Sequence, residues 1–341
     1  MFDLLEQLCN LPGVSGNEDA VRAFVRAYAK PFAAEMREDS IGNLFVKKKG
    51  KKEREDTLMV CAHMDEVGMI IKGITEDGYL KFATVGGVDR RILLGKRVCV
   101  GKKGITGVIG SRAVHLIGAK EREAVPKTDE LYIDIGVKKR LQAERYVSLG
   151  DVAWFEPNFR KFGDGLICSK AIDDRVGCAV MLKLLSEEIE YDTWFVFTVQ
   201  EEVGLRGATT AAYTVDPDRA LILEGTTAAD LPSANGARRV CEVNRGVVIG
   251  LMDGATIYDP KLFATLRTLA EGNGIPWQTK EMVAGGTDAG AVQRSRVGVR
   301  CANLAAPVRY LHGPASVTSV SAIEAMLTLA RMYVNLEGES A

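Results

Sequence analysis

Residues 58–66 read Leu58-Met59-Val60-Cys61-Ala62-His63-Met64-Asp65-Glu66, five apolar residues followed abruptly by a histidine and two acids. An unbroken apolar run of this length predicts a strand that is buried on both faces, as in the parallel sheets of α/β proteins. Ligands of such proteins bind beyond the carboxyl ends of the strands. The polar residues that follow this run are therefore candidates for a functional site.

Helical and strand patterns alternate through the second half of the chain. After Lys170 the helical patterns cover residues 174–188, 208–213, 259–272 and 319–336, and the apolar strand patterns cover 193–199, 220–223 and 297–304. This alternation predicts an α/β fold with a mostly parallel sheet flanked by helices. Near the start, Asn17, Glu18 and Asp19 are predicted to cap a second helix, and a lysine-rich turn at 47–52 is predicted to join two strands as a hairpin.

The pattern of apolar residues and glycines in the sequence changes between residues 67 and 164. Short strand patterns and frequent glycines replace the long helical patterns, which predicts a small β domain. We therefore expect residues 1–66 and 165–341 to form one α/β domain, with residues 67–164 inserted in its middle.

Composition excludes several classes of protein. The 341 residues carry 44 Lys and Arg against 45 Asp and Glu, and this balance argues against nucleic-acid binding. The sequence contains no run of about 18 apolar residues, so no membrane-spanning helix is predicted. The acidic N-terminus does not resemble a signal peptide. The seven cysteines lack C-x-x-C spacing, so we expect them to be reduced in a cytoplasmic protein.

Five apolar runs lead to residues of the kind that bind metals. These residues are His63 with Asp65, Asp173 with Asp174, Glu201 with Glu202, Glu224, and His312 after a loop. Mixed histidine and carboxylate ligands suit zinc, cobalt or manganese. A pair of metal ions ~3.5–4 Å apart needs a bridging carboxylate, and hydrolysis there also needs a general base and an acid that orients a histidine ligand.

Each candidate also has a purely structural interpretation. His115 lies in the predicted β domain with no carboxylate near it in the sequence, so we interpret it as structural. Asp174 is expected to cap the following helix while Asp173 faces the sheet edge. The sequence contains no H-E-x-x-H, no G-x-S-x-G and no complete phosphate-binding loop.

Taken together, five blocks of sequence resemble the tetrahedral-aminopeptidase family. The blocks are residues 62–68, 170–177, 201–208, 285–289 and 309–312. Members of this family are dinuclear metallo-aminopeptidases, including glutamyl and deblocking aminopeptidases, and are sometimes labelled cellulase M or endoglucanase. The resemblance implies a zinc-peptidase-like α/β catalytic domain, an inserted small β-barrel-like dimerisation domain, and homo-oligomers in which dimers assemble into a tetrahedral dodecamer that trims short peptides.

The resemblance also implies roles for individual residues. Two divalent metal ions, zinc first and cobalt or manganese as alternatives, would be bound by His63, Asp173, Glu202, Glu224 and His312. Asp173 would bridge the ions, Glu201 would act as the general base, and Asp65 would support His63. Glu224 stands where many members have aspartate. Thr287 and Asp288 match a segment that lines the substrate site.

Two other functions remain open from the sequence. A glycoside hydrolase of the cellulase type would need two carboxyl groups on opposite sides of a sugar and no metal, which leaves His63 and His312 without a role. A non-catalytic scaffold with the same fold would not require Glu201 or either histidine.

Overall fold

The computed structural model describes residues 1–232 and 234–338. The helices are α1 (Phe2–Asn10), α2 (Asp19–Ala29), α3 (Ala119–Arg122), α4 (Arg140–Ala143), α5 (Ile172–Leu185), α6 (Arg206–Val215), α7 (Pro260–Gly272), α8 (Ala289–Val292) and α9 (Val320–Val334). Within the described ranges, none of these helices combines the length and the apolar character that crossing a membrane requires.

The strands form a large sheet, a closed barrel and a small sheet. The strands are β1 (Glu35–Glu38), β2 (Leu44–Lys48), β3 (Leu58–His63), β4 (Gly68–Ile74), β5 (Leu80–Val85), β6 (Arg97–Val100), β7 (Ile105–Gly110), β8 (Tyr132–Asp134), β9 (Val152–Phe155), β10 (Arg160–Phe162), β11 (Leu166–Ser169), β12 (Thr193–Thr198), β13 (Arg219–Thr227), β14 (Val247–Ile249), β15 (Trp277–Gln278), β16 (Arg300–Val308) and β17 (Ser316–Ser319). The large sheet has the order β1-β2-β12-β3-β13-β16-β14-β15.

The centre of the large sheet is parallel. Strands β12, β3, β13 and β16 run side by side in the same direction, whereas β2 and β14 pair with this centre in the antiparallel sense. The α/β prediction is therefore confirmed, with antiparallel strands added at the margins. The predicted hairpin is wrong, because β12 lies between β2 and β3 in the sheet.

Helices cover both faces of this sheet, as the unbroken apolar run predicts. In β3, Leu58, Val60 and Ala62 pack into a core with side chains of α1, α2, α5, α7 and α9. Met59 and Cys61, which point the other way, pack with side chains of α6 and α8. Strand β3 is thus buried on both sides, and its carboxyl end emerges between the two layers.

The barrel lies between Gly68 and Phe155 in the sequence. Its strands close in the order β4-β5-β8-β7-β6-β9 around an apolar core of their own. This barrel confirms the expected small β unit, although β5 was not predicted. Strands β10, β11 and β17 form a separate antiparallel sheet, so β11 is not part of the large sheet. The domain boundaries and a role of the barrel in assembly stay predictions.

A buried group of charges joins the N-terminal helix to the centre of the fold. Lys170 Nζ donates to both carboxylate oxygens of Glu66, at 2.7 and 2.9 Å, and to the carbonyl of Leu11 at 2.9 Å. Arg175 donates to Glu66 at 3.4 Å and to the carbonyl of Leu8. Burial lowers the pKa of Lys170, although the Glu66 carboxylate acts to raise it. Removing Lys170 would leave the buried Glu66 carboxylate with weaker compensation, from Arg175 at 3.4 Å.

We predict that Lys170→Met destabilises the protein by about 3–5 kcal/mol, because Glu66 would lose its closest cation in a buried position. The matched control is Lys72→Met, which removes an exposed ion pair with Asp129. Urea unfolding at one protein concentration should show a large fall in the midpoint for the first variant and none for the second. Equal midpoints for the two variants would contradict the prediction.

Candidate metal centre

The predicted site residues converge at the carboxyl edge of the parallel strands. His63 is the last residue of β3, and Glu201 and Glu202 come three and four residues after the end of β12. Glu224 was expected after a strand but lies inside β13, which continues to Thr227. Asp173 comes from the start of α5.

One group of candidate ligands surrounds the imidazole of His63. Its Nε2 lies 3.3 Å from Asp173 Oδ1 and 3.2 Å from Glu224 Oε1. All three side chains are buried. Gly225 follows Glu224 in β13, and a Cβ atom there would lie 3.0 Å from the Asp173 side chain. Glycine at this position therefore leaves room for the Asp173 carboxylate.

A second group surrounds the imidazole of His312. Its Nε2 lies 3.5 Å from Asp173 Oδ2 and 3.2 Å from Glu202 Oε2. Asp173 thus presents one carboxylate oxygen to each histidine. Although burial acts to lower it, the carboxylates of Asp173 and Glu202 raise the pKa of His312 to about 11. Negative charge therefore dominates this part of the site.

The two groups fit divalent metal ions. Ligand atoms ~2.0–2.2 Å from a tetrahedral zinc ion lie ~3.3–3.6 Å apart, close to the separations of 3.2–3.5 Å in each group. Burial raises the pKa of Glu224 well above its ordinary value, and burial likewise raises the pKa of Glu202. A dication at each group would compensate this buried negative charge.

Two neighbouring acids, Asp65 and Asp174, contact the candidate ligand His63. Asp65 follows β3, and His63 Nδ1 lies 3.1 Å from the Asp65 carbonyl oxygen and 3.5 Å from its Oδ1. Asp174 Oδ1 accepts a hydrogen bond from the backbone N–H of Gly177 at 3.0 Å, which is the predicted helix cap. The other oxygen of Asp174 accepts from the His63 backbone N–H at 3.2 Å. Asp174 thus links the cap of α5 to the end of β3.

Glu201 lies beside the ligand groups. Its Oε2 is 4.0 Å from His63 Nε2, and its side chain lines the same cavity as Asp173. Burial raises the pKa of Glu201 well above its ordinary value, and nearby Glu224 also raises it. A carboxylate of raised basicity at the wall of a cavity can accept a proton from water.

The two remaining predicted residues lie at different depths. Thr287 lines the cavity, and its hydroxyl is 2.9 Å from the Tyr258 hydroxyl. Asp288 is buried, with its Oδ2 accepting from the Thr198 hydroxyl at 2.5 Å. Burial raises the pKa of Asp288 to about 6. A contact of either residue with substrate stays a prediction.

The cavity has a volume of about 370 Å³ and includes residues that sequence reasoning missed. Lys280 lies on its wall and donates a hydrogen bond to the Ala284 carbonyl at 3.1 Å. Gly87, from the segment between β5 and β6, also lines it, and its carbonyl lies 3.3 Å from His312 Nδ1. The pairs Gly86-Gly87 and Gly285-Gly286 were the available signal, because close approach to a ligand favours glycine. His115, interpreted as structural, is exposed and is distant in sequence from the candidate metal ligands.

Comparison with known proteins gives consistent results along the whole chain. The M42 glutamyl aminopeptidase family matches residues 42–329. The lysyl aminopeptidase of Pyrococcus furiosus is 31% identical over 338 residues, covering 97% of this chain and 95% of that relative. An aminopeptidase from the archaeon Desulfurococcus kamchatkensis has a similar structure, with a TM-score of 0.92, 35% identity, and coverage of 98% of this chain and 94% of that one.

The TET1 peptidase of Pyrococcus horikoshii, which is described as assembling into a tetrahedron or a large octahedral shell, is also similar. Its structure matches with a TM-score of 0.85 and 32% identity over 98% of each chain. These matches confirm the resemblance that the five sequence blocks indicate. The family match spans most of the sequence, and the relatives align over nearly its full length. The chain therefore belongs to the M42 glutamyl aminopeptidase family, and the activity that this membership supports is that of an aminopeptidase.

Proposed function

We propose that this protein removes N-terminal residues from short peptides by hydrolysis at a centre of two divalent metal ions. The observation that carries the proposal is the position of Asp173 between two histidines, with one oxygen directed to each. In this proposal His63 and Glu224 complete one site, and His312 and Glu202 complete the other. Asp173 belongs to both.

Zinc is the ion that we propose, because nitrogen and carboxylate oxygen ligands at this spacing suit it, and cobalt and manganese accept the same donors. Bound ions would lower the pKa of water and polarise the carbonyl of the peptide bond. The buried carboxylates supply the negative charge that holds such ions. Asp65 keeps the imidazole of His63 oriented through its Nδ1.

Glu201 is the residue that we propose as the general base. It is not needed to complete either ligand group, and its carboxylate lies on the cavity wall. It would accept a proton from the attacking water and deliver that proton to the leaving amine. A carboxylate of the cluster would also bind the free α-ammonium group of the substrate, which explains why only N-terminal residues are removed.

We further propose that the barrel mediates assembly into dimers and then a tetrahedral dodecamer. The similar TET1 peptidase can assemble into a tetrahedron or a large octahedral shell. Several apolar side chains between β7 and β9 are exposed, including Val114, Leu116 and Leu141. Exposed apolar side chains are common at protein interfaces, and these three support an interface on the barrel. The cysteines are all free thiols, which agrees with the proposed cytoplasmic location.

The geometry does not favour glycoside hydrolysis. A glycosidase of the cellulase type needs a pair of carboxyl groups and no histidine ligands. Here each histidine lies within 3.5 Å of two carboxylates. A scaffold without catalytic function would not require so many buried charged groups, because burying each of them costs free energy.

Removal of metal tests the proposal directly. Dialysis against a chelator should abolish cleavage of an aminoacyl anilide, and zinc, cobalt or manganese should restore it, because the buried carboxylates require divalent cations. The same anilide with an acetylated amino group should stay uncleaved, as should a soluble glucan. Full activity in protein shown by elemental analysis to be free of metal would refute the dinuclear centre.

We predict that Glu201→Gln keeps both metal ions and loses turnover by ~10²–10⁴-fold, since glutamine has the same shape and cannot accept the proton. Turnover and metal content should be measured on the same preparation. Glu271→Gln, an exposed position on α7, is the matched control and should retain activity. Loss of metal in proportion to activity would show that Glu201 is a ligand instead.

We predict that Glu224→Ala weakens one of the two metal sites by more than the ~10–100-fold that loss of an outer partner costs. Glu224→Asp should have a milder effect, because the aspartate side chain is one methylene shorter but still carries a carboxylate. Calorimetric titration of metal-free protein with zinc measures both sites. Two sites of parental affinity in Glu224→Ala would remove Glu224 from the ligand set.

A further inference from the structure

The segment between α1 and α2 lies against the candidate metal centre. The backbone N–H of Glu66 donates to the Gly13 carbonyl at 2.9 Å, and the N–H of Ser15 donates to the Glu66 carbonyl at 3.2 Å. These two bonds place residues 13–18 beside the loop that follows β3. The side chains of Ser15 and Glu18 are thereby directed at the residues that carry the site.

Glu18 does not do what its position in the sequence predicts. It stands at the N-cap of α2, yet its side chain makes no capping hydrogen bond to that helix. Its Oε1 instead accepts from the backbone N–H of Gly16 at 2.6 Å and of Gln200 at 3.2 Å. Glu18 is almost fully buried, with 3% of its surface exposed. Burying a carboxylate costs free energy, so we expect a role for the hydrogen bond that Glu18 makes to the distant residue Gln200.

Three successive backbone amides are held in the same way. Gln200 N–H donates to Glu18, and the N–H groups of Glu201 and Glu202 donate to Asp65 Oδ1 and Oδ2 at 3.0 and 3.2 Å. The Ser15 hydroxyl donates to Asp65 Oδ2 at 2.6 Å. The carboxylates of Glu18 and Asp65 therefore fix the backbone of residues 200–202.

This network connects the proposed metal ligand His63 with the proposed general base Glu201. Asp65 contacts the imidazole of His63 and also the backbone of Glu201 and Glu202. Ser15 orients Asp65, and Glu18 holds the residue just before Glu201. The network therefore controls where a metal ligand, the proposed base and a second ligand stand relative to one another.

We propose that Ser15 and Glu18 are positioning residues for the reaction. They act through Asp65 and through the backbone of residues 200–202, and they touch neither substrate nor metal. This inference rests on the proposed function. Both residues precede the part of the chain, residues 42–329, that the family match covers.

The decisive variants are Glu18→Ala, Glu18→Gln and Ser15→Ala in the full-length protein. We expect Glu18→Ala to lower kcat by ~10–100-fold and to weaken zinc binding within the same range, with KM unchanged within about twofold. Glu18→Gln should recover most of kcat, because an amide oxygen accepts the same two N–H groups. Ser15→Ala should lower kcat in the same sense, and Ser15→Thr should recover it.

The matched control is Asp19→Ala. Asp19 is an exposed acid next to Glu18, and its side chain pairs with Arg22 on the same helix. This variant should keep parental kcat and zinc affinity. A fall in the urea midpoint of Glu18→Ala with parental kcat and zinc affinity would overturn the proposal, because Glu18 would then serve stability alone. Loss of kcat that Glu18→Gln does not recover would overturn it as well.

Hydrogen exchange separates this inference from the proposed function. In Glu18→Ala, exchange of the backbone amide of Gln200 should accelerate relative to the parent, because that amide loses its acceptor. A parent that binds zinc without cleaving peptides would refute the proposed function, whereas unchanged exchange in Glu18→Ala would refute the positioning role. If Glu18→Ala does not fold, Ser15→Ala decides instead, because the positioning role predicts lower kcat and weaker zinc binding in that variant and parental values of both would overturn it.

Discussion

The carboxylate of Asp173 lies between two imidazoles, and the surrounding structure serves to keep it there. Glu201, Glu202 and Glu224 crowd the same small volume, where their side chains are 11%, 5% and 5% exposed and each negative charge is costly. Such a cluster is stable only if cations or hydrogen-bond donors compensate it. The histidines, the backbone amides and the proposed metal ions are the groups that do so.

The topology of the sheet explains how these charges come together. Strands β3, β12 and β13 are parallel neighbours, so their carboxyl ends meet at one edge and deliver His63, the Glu201–Glu202 pair and Glu224 side by side. His312 comes from the loop after β16. The barrel segment reaches the same place, where the Gly87 carbonyl contacts that imidazole. The site is therefore shared between the sheet and the segment inserted after β3.

The N-terminal segment, residues 8–18, supports the site through hydrogen bonds. The pairing of Lys170 and Arg175 with Glu66 holds this segment against the fold through the carbonyls of residues 8 and 11. The same segment then supplies Ser15 and Glu18 to the hydrogen bonds around Asp65. The stability of the fold and the geometry of the proposed site thus share one set of buried polar contacts, in which each carboxylate is matched by donors.

The sequence by itself determined the α/β fold, the barrel-like insert and the residues that gather at the sheet edge. It could do so because local patterns carry this information: apolar runs mark buried strands, and polar residues directly after them mark the carboxyl edge. Only the tertiary structure decided that β12 separates β2 from β3, that Glu224 lies within β13, and that Glu18 binds Gln200 instead of capping α2. These features depend on contacts between segments far apart in the chain, because strand order and the choice among hydrogen-bond partners are settled by packing that no local pattern records.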